Sequence, residues 1–243
     1  MVMDPETLYL QLKRLVASMP ELDGTGAITS EINQWVGRAI ALVEASGADV
    51  ADIASLRVCS QGLASTIRNQ NAQTIATIVH SALGRAELKA PASAQGAFIA
   101  AGDTLTAFAA VAKVLARAKV DILMVDAYAD QTIITDFAVT APENVVVRIL
   151  GANKETRKES MRPAVERWTR QFGVGRSLTV RVAPQASLHD RLILIDGSEA
   201  WSAHQSFNGM AQSSHTSIER SDPEMAAMKI QAYEAIWDDA QEL

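Results

Sequence analysis

The sequence predicts an α/β domain whose sheet is covered by helices, preceded by an all-α N-terminal domain. Three observations lead there. Up to about Ala94 the apolar residues recur at helical spacing only. Beyond that point short apolar runs bounded by charge or turn residues alternate with helical stretches, which is how buried strands and their crossover helices read in sequence. Between the two textures, KAPASAQG (Lys89 to Gly96) has the composition of a linker, so the domains are expected at 1–95 and 96–243.

In order along the chain, DPETLYLQLKRLVASM opens with Asp4 as N-cap and Pro5 in the first helical position, and places Leu8, Leu12 and Leu15 on one face. ELDGTG is a loop. TSEINQWVGRAIALVEASG repeats Ile32, Trp35, Val36, Ala39, Ile40 and Val43 at helical spacing and stops at Gly47. DVADIASLRVCS and NAQTIATIVHSALG are further helices, the latter expected to end at Gly84, with His80 packed on a helix. After the linker come a short strand around Phe98 and Ile99 and an Ala-rich helix from about Thr104 to Lys119. VDILMVDAY (Val120 to Tyr128) and NVVVRILG are buried strands, separated by a short helix in DQTIITDFAV.

KETRKESMRPAVERWTRQF is expected to be helical at least beyond Ser160, because Pro163 fits only near a first turn or at a kink. Its apolar stripe is Met161, Val165, Trp168 and Phe172. SLTVRVAP is a strand, RLILIDG and EAWSAHQSF pair across the turn DGSE, and TSIERSD is one strand more. DPEMAAMKIQAYEAIWDDAQEL closes the chain as a helix capped by Asp222, with Pro223 in its first turn. Met225, Met228, Trp168 and Trp237 are assigned to the core.

Composition excludes several classes. With 48% hydrophobic and 21% charged residues the chain is that of a folded protein, not a disordered one. A sole cysteine, Cys59, offers no intrachain disulfide and no metal-type spacing. The N-terminus lacks the pattern of a signal peptide, and the most apolar segment is broken by Asp103, so the expectation is a cytoplasmic protein with no membrane partner. A net charge of −6 argues against a nucleic-acid wrapper, yet the charge is uneven. From Arg148 to Arg191 basic residues outnumber Glu155, Glu159, Glu166 and Asp190, which reads either as a solvated helix face or as a polyanion-binding surface.

The chemistry concentrates in LHDRLILIDGSEAWSAHQSFNG (Leu188 to Gly209). On a strand, alternate side chains share a face, so His189, Arg191, Ile193 and Ile195 would point one way and Asp190, Leu192, Leu194 and Asp196 the other. Ser206 and Asn208, two apart at the end of the next strand, would converge on His189 and Arg191. A guanidinium and an amide that donate to oxygen, beside an imidazole that can attack or carry a proton, suit a phosphate group. Asp121, Asp126 and Asp130 follow a strand period and give no metal-loop spacing. His204, which would share the direction of Ser206, is a reserve histidine; for it and for His215 a loop position is the plainer reading.

These residues carry a resemblance. HDRLILID matches the His-x-Lys-x4-Asp motif of the phospholipase D superfamily with Arg191 in the Lys position. QSFN (Gln205 to Asn208) is similar to its Gly-Ser-x-Asn with Gln205 in the Gly position. The resemblance covers Gly96 to Leu243 and implies a phospholipase D-like mixed sheet covered by helices. It implies phosphodiester cleavage with no metal or other cofactor. One histidine attacks phosphorus to form a phosphohistidine, a second protonates the leaving oxygen, and Arg191 and Asn208 stabilise the equatorial oxygens.

The implied site is His189, Arg191, Ser206 and Asn208, with Asp196 supporting it or forming the DGSE turn. Glu219 lies where relatives place a carboxylate that orients the histidine; a solvated strand residue is its other reading. That chemistry needs two motifs and this chain has one, so a homodimer sharing the site is expected, with a phosphodiester or nucleic-acid ligand. The alternative is a catalytically degenerate domain that binds a phosphorylated ligand or nucleic acid within a larger assembly, such as a defence system, while the N-terminal helices engage a protein partner.

Overall fold

A computed structural model describes residues 3–24, 26–90 and 96–243. Residues 91–95, most of the expected linker, lie outside the described residues. The chain divides into two units, Met1–Gln95 and Gly96–Leu243.

The first unit is helical: α1 (Pro5–Ala17), α2 (Ser30–Ala45), α3 (Val50–Gln61) and α4 (Arg68–Lys89). Asp4 caps α1 by accepting from Thr7 N at 2.9 Å, and Thr29 and Asp49 cap the next two helices in the same way. Leu8, Leu12 and Leu15 are buried with Trp35, whose indole donates to Leu15 O at 2.9 Å. Helix α4 does not stop at Gly84 but runs to Lys89. A glycine costs a helix only about 1 kcal/mol relative to alanine, and the turn beyond it is anchored. Ala86 is fully buried, and Lys89 Nζ donates to Ser46 O at 3.1 Å. His80 is exposed rather than packed.

The second unit contains β1 (Ala97–Ile99), α5 (Thr104–Leu115), β2 (Asp121–Asp126), β3 (Val146–Ala152), α6 (Glu155–Phe172), β4 (Leu178–Ala183), β5 (Leu192–Ile195), β6 (Glu199–Ala203), β7 (Thr216–Arg220), α7 (Pro223–Asp239) and β8 (Gln241–Glu242). The strands form one mixed sheet in the order β1-β7-β6-β5-β2-β3-β4-β8. Strands β2, β3 and β4 are parallel, and every other pairing is antiparallel. The fold is thus the α/β class the sequence predicts. Alternation sorts the core into two layers: Ile122, Met124, Ile193 and Ile195 pack with Trp168, while Leu123, Val125, Leu192 and Leu194 pack with Tyr233 and Trp237 of α7.

Several boundaries depart from the sequence reading. Helix α5 ends at Leu115 because the backbone N–H groups of Lys119, Val120 and Asp121 are taken by the Asp196 carboxylate at 2.9–3.2 Å. Helix α6 begins at Glu155, so Pro163 stands in its interior. The ring leaves one carbonyl without its intrahelical donor, but burial of Met161, Ala164 and Trp168 holds the helix against the sheet. Residues Ile133–Phe137 form a π-helical turn. Trp168 and Trp237 are buried as expected, whereas Met228 is 59% exposed. Strand β8, which no periodicity signals, pairs with the edge of β4.

Candidate functional site

Strand register gathers the site at one end of the sheet. Val125 pairs with Leu192, and Leu192 with Ser202. One residue further on, Asp126 ends β2, Arg191 precedes β5 and Ala203 ends β6, with Ala203 N donating to Arg191 O at 2.9 Å. His189, Asp190 and Arg191 lie outside the strand that the sequence gives them, since β5 begins only at Leu192. Likewise β6 stops at Ala203, so Ser206 and Asn208 do not alternate along a strand. Phe207, Asn208 and Gly209 form a 3-10 turn.

Asp126 explains that turn. Its side chain is fully buried and accepts from Ser206 Oγ at 2.6 Å, Phe207 N at 2.9 Å and Tyr128 N at 2.8 Å. A buried carboxylate needs such donors, and the QSFN segment supplies them by leaving the sheet. The Ser206 hydroxyl is therefore spent on Asp126, a correction to the expectation that it faces the anion. Gln205, in the position of the motif glycine, pins the following loop. Its Oε1 accepts from Ala211 N at 2.8 Å, and its Nε2 donates to Ser214 Oγ and to Ser214 O at 3.2 Å. Asn208 is half-buried in the turn.

The main chain at His189 is held from α7. Tyr233 Oη accepts from Asp190 N at 3.0 Å, and Lys229 Nζ lies 3.4 Å from the Asp190 carboxylate and donates to Ser202 Oγ at 3.0 Å. Burial pushes the Tyr233 phenol above its ordinary pKa; the backbone donor of Asp190 opposes this and the Asp190 charge adds to it. The imidazole itself is exposed and has no hydrogen-bond or ion-pair partner among the described residues.

Arg191 is half-buried, with its guanidinium 5.6 Å from the Tyr128 ring centroid and its buried Nε without an acceptor among the described residues. Arg157, in the first turn of α6, sits 5.9 Å from the same ring and 4.0 Å from Asp130. Tyr128, Arg157 and Asp126 lie against Arg191 and Ser206 at this sheet end, a placement the sequence reading missed. The basic run from Arg148 to Arg191 signalled Arg157 only as one cation among many.

Two expected site residues stand elsewhere. Asp196 follows β5 at the opposite end from His189, separated by strand length on the order of 20 Å. It adopts a positive φ of 51°, tolerated by aspartate, and its carboxylate caps three backbone N–H groups. Burial works against the Asp196 charge, but the N–H groups of Asp121, Val120 and Lys119 prevail and hold its pKa below the ordinary value. Glu219 lies on β7 opposite Ser202 and accepts from Ser217 Oγ at 3.3 Å, not from His189. Of the other histidines, His204 is exposed beyond β6, and His215 accepts from Ala101 N at 3.1 Å and stacks on Phe98. Among the described residues no three His, Cys, Asp or Glu gather as a metal site, and no helix is long and apolar enough to cross a membrane.

No protein-family model matches the sequence, and no curated protein matches it. Among solved structures the chain is similar to Nuc, a phospholipase D family member from Salmonella typhimurium, at 14% identity over 61% of this chain and 99% of that one, with a TM-score of 0.45. It is similar to TrmBL2, an archaeal chromatin protein with a novel mode of DNA binding, at 14% identity over 61% of this chain and 53% of that one, TM-score 0.42. NucT from Helicobacter pylori matches at 7% identity over 61% and 99%, TM-score 0.41. These are likenesses of chain path, not of chemistry.

Proposed function

We propose that the chain is a metal-independent phosphodiesterase in which His189 is the nucleophile. One observation carries the reading: an exposed imidazole with no partner among the described residues stands two residues from a guanidinium held against Tyr128, at the sheet end where Asn208 also lies. In this reaction the His189 nitrogen attacks phosphorus, forming a phosphohistidine as the bond to the leaving oxygen breaks. That oxygen takes a proton from a second histidine, and water then hydrolyses the intermediate. Arg191 and Asn208 donate to the equatorial oxygens as charge builds on them. The second histidine is His189 of another copy in a twofold dimer, since each chain carries one motif.

Cleavage of bis-p-nitrophenyl phosphate or of DNA in EDTA, lost in His189→Ala, is the expected result. Pure protein inert on these and on RNA and cyclic nucleotides would reject the proposal. A second reading, phosphate binding without turnover, is favoured by one observation. Among the described residues no carboxylate orients the His189 ring, and catalytic imidazoles are ordinarily fixed by such a partner. It predicts salt-sensitive binding of a phosphorylated ligand, weakened by Arg191→Ala, with no product formed.

A further inference from the structure

We propose that Tyr128 and Arg157 complete this anion site. Tyr128 acts as a positioning residue that gathers two guanidinium groups about one ring, and Arg157 as a second phosphate-binding cation. The inference rests on the phosphodiester reading and names residues outside its motif.

Tyr128 is 40% exposed, yet both cations use its ring, Arg191 at 5.6 Å and Arg157 at 5.9 Å from the centroid. Each guanidinium is within cation–π range of the same ring, whose negative face draws both cations to one side chain. The Tyr128 main chain is fixed from behind. Tyr128 N donates to Asp126 Oδ1 at 2.8 Å, and Oδ2 of the same carboxylate holds Ser206 and Phe207. One buried carboxylate thus sets the Tyr128 backbone and the turn carrying Asn208 in a single frame.

Among the described residues Arg157 has one carboxylate near it, Asp130 at 4.0 Å, too long for a hydrogen bond. Its donors are therefore available to a phosphoryl oxygen at a closer distance. The arrangement also gives a reason for arginine at position 191. A planar guanidinium stacks on an aromatic ring, whereas the compact ammonium of lysine gains less from one and makes no fork to two oxygens. Arginine at the motif position and tyrosine at 128 form one device.

The test is calorimetric titration of the full chain with inorganic phosphate, run beside turnover of bis-p-nitrophenyl phosphate. Arg157→Ala and Tyr128→Leu are each expected to weaken phosphate about tenfold. Tyr128→Phe should keep wild-type affinity, since the ring and not the hydroxyl does the positioning. In an Arg191→Lys background, Tyr128→Leu should cost clearly less than in the wild type. Wild-type affinity in Arg157→Ala, or equal losses in Tyr128→Phe and Tyr128→Leu, would overturn the proposal, as would a wild type that does not bind phosphate. Thermal melts report whether each variant is folded; should Tyr128→Leu unfold, Arg157→Ala carries the test, because that side chain is partly exposed on a helix. If phosphate binding follows these expectations while no variant and no wild type turns over, the phosphodiesterase reading fails and this one stands. If His189→Ala abolishes turnover but Arg157→Ala binds phosphate normally, this one fails alone.

Discussion

The Ser206 hydroxyl donates to the Asp126 carboxylate at 2.6 Å, joining residues eighty positions apart. The bond fixes where the QSFN segment leaves the sheet and so where Asn208 stands. Ser206→Ala removes a charge-assisted hydrogen bond and should cost about 1.5–3 kcal/mol of stability. Asp126→Ala strands three donors at once and should cost more, about 3 kcal/mol or above. Urea unfolding of both variants measures this, and a Ser206→Ala protein as stable as wild type would show the bond to be idle.

His189 predicts the opposite pattern. Its ring is exposed and has no hydrogen-bond or ion-pair partner among the described residues, so His189→Ala should change stability by no more than about 0.5 kcal/mol. Turnover in the same preparation should vanish. A variant that loses activity and unfolds together would mean the imidazole is structural.

Tyr233 reaches the same loop from α7. Tyr233→Phe deletes the acceptor for Asp190 N and should cost about 1 kcal/mol. Because the phenol holds the main chain beside His189, the proposed nucleophile, the variant should lower kcat more than it raises KM. A pure KM effect in steady-state kinetics would contradict this.

Asp196 should make stability depend on pH. Its folded pKa lies below the ordinary aspartate value of about 3.9. The charged carboxylate therefore adds stability that is fully present above that value and is lost as pH falls through it toward the folded pKa. The stability gap between wild type and Asp196→Asn should be widest near neutrality and shrink below about pH 4. A gap that stays constant from pH 7 to pH 3 would show the three N–H bonds to be insensitive to its charge.

Local physics made much of the fold legible. Asp4 and Asp222 announce helix starts because an N-cap acts within three residues of itself. The β5–β6 hairpin reads from DGSE between two apolar runs. Misreadings arose where a distant partner decided the outcome. Pro163 is accepted mid-helix because of the sheet beneath it, and Gly84 is passed over because Lys89 has Ser46 to bond. His189 and Arg191 fall beyond β5, so strand alternation cannot say where they point. Asp196, seven residues along the motif, is carried to the far end by the strand itself.

By itself the sequence determined the alternation of strands and helices, the two-sided burial of the sheet and the residue types able to meet a phosphate, since each follows from spacing along the chain. Only the tertiary structure decided which of them meet. Tyr128 comes to Arg191 and Arg157, and Ser206 to Asp126, through strand register and crossover packing between segments far apart in sequence, and no local period encodes that pairing.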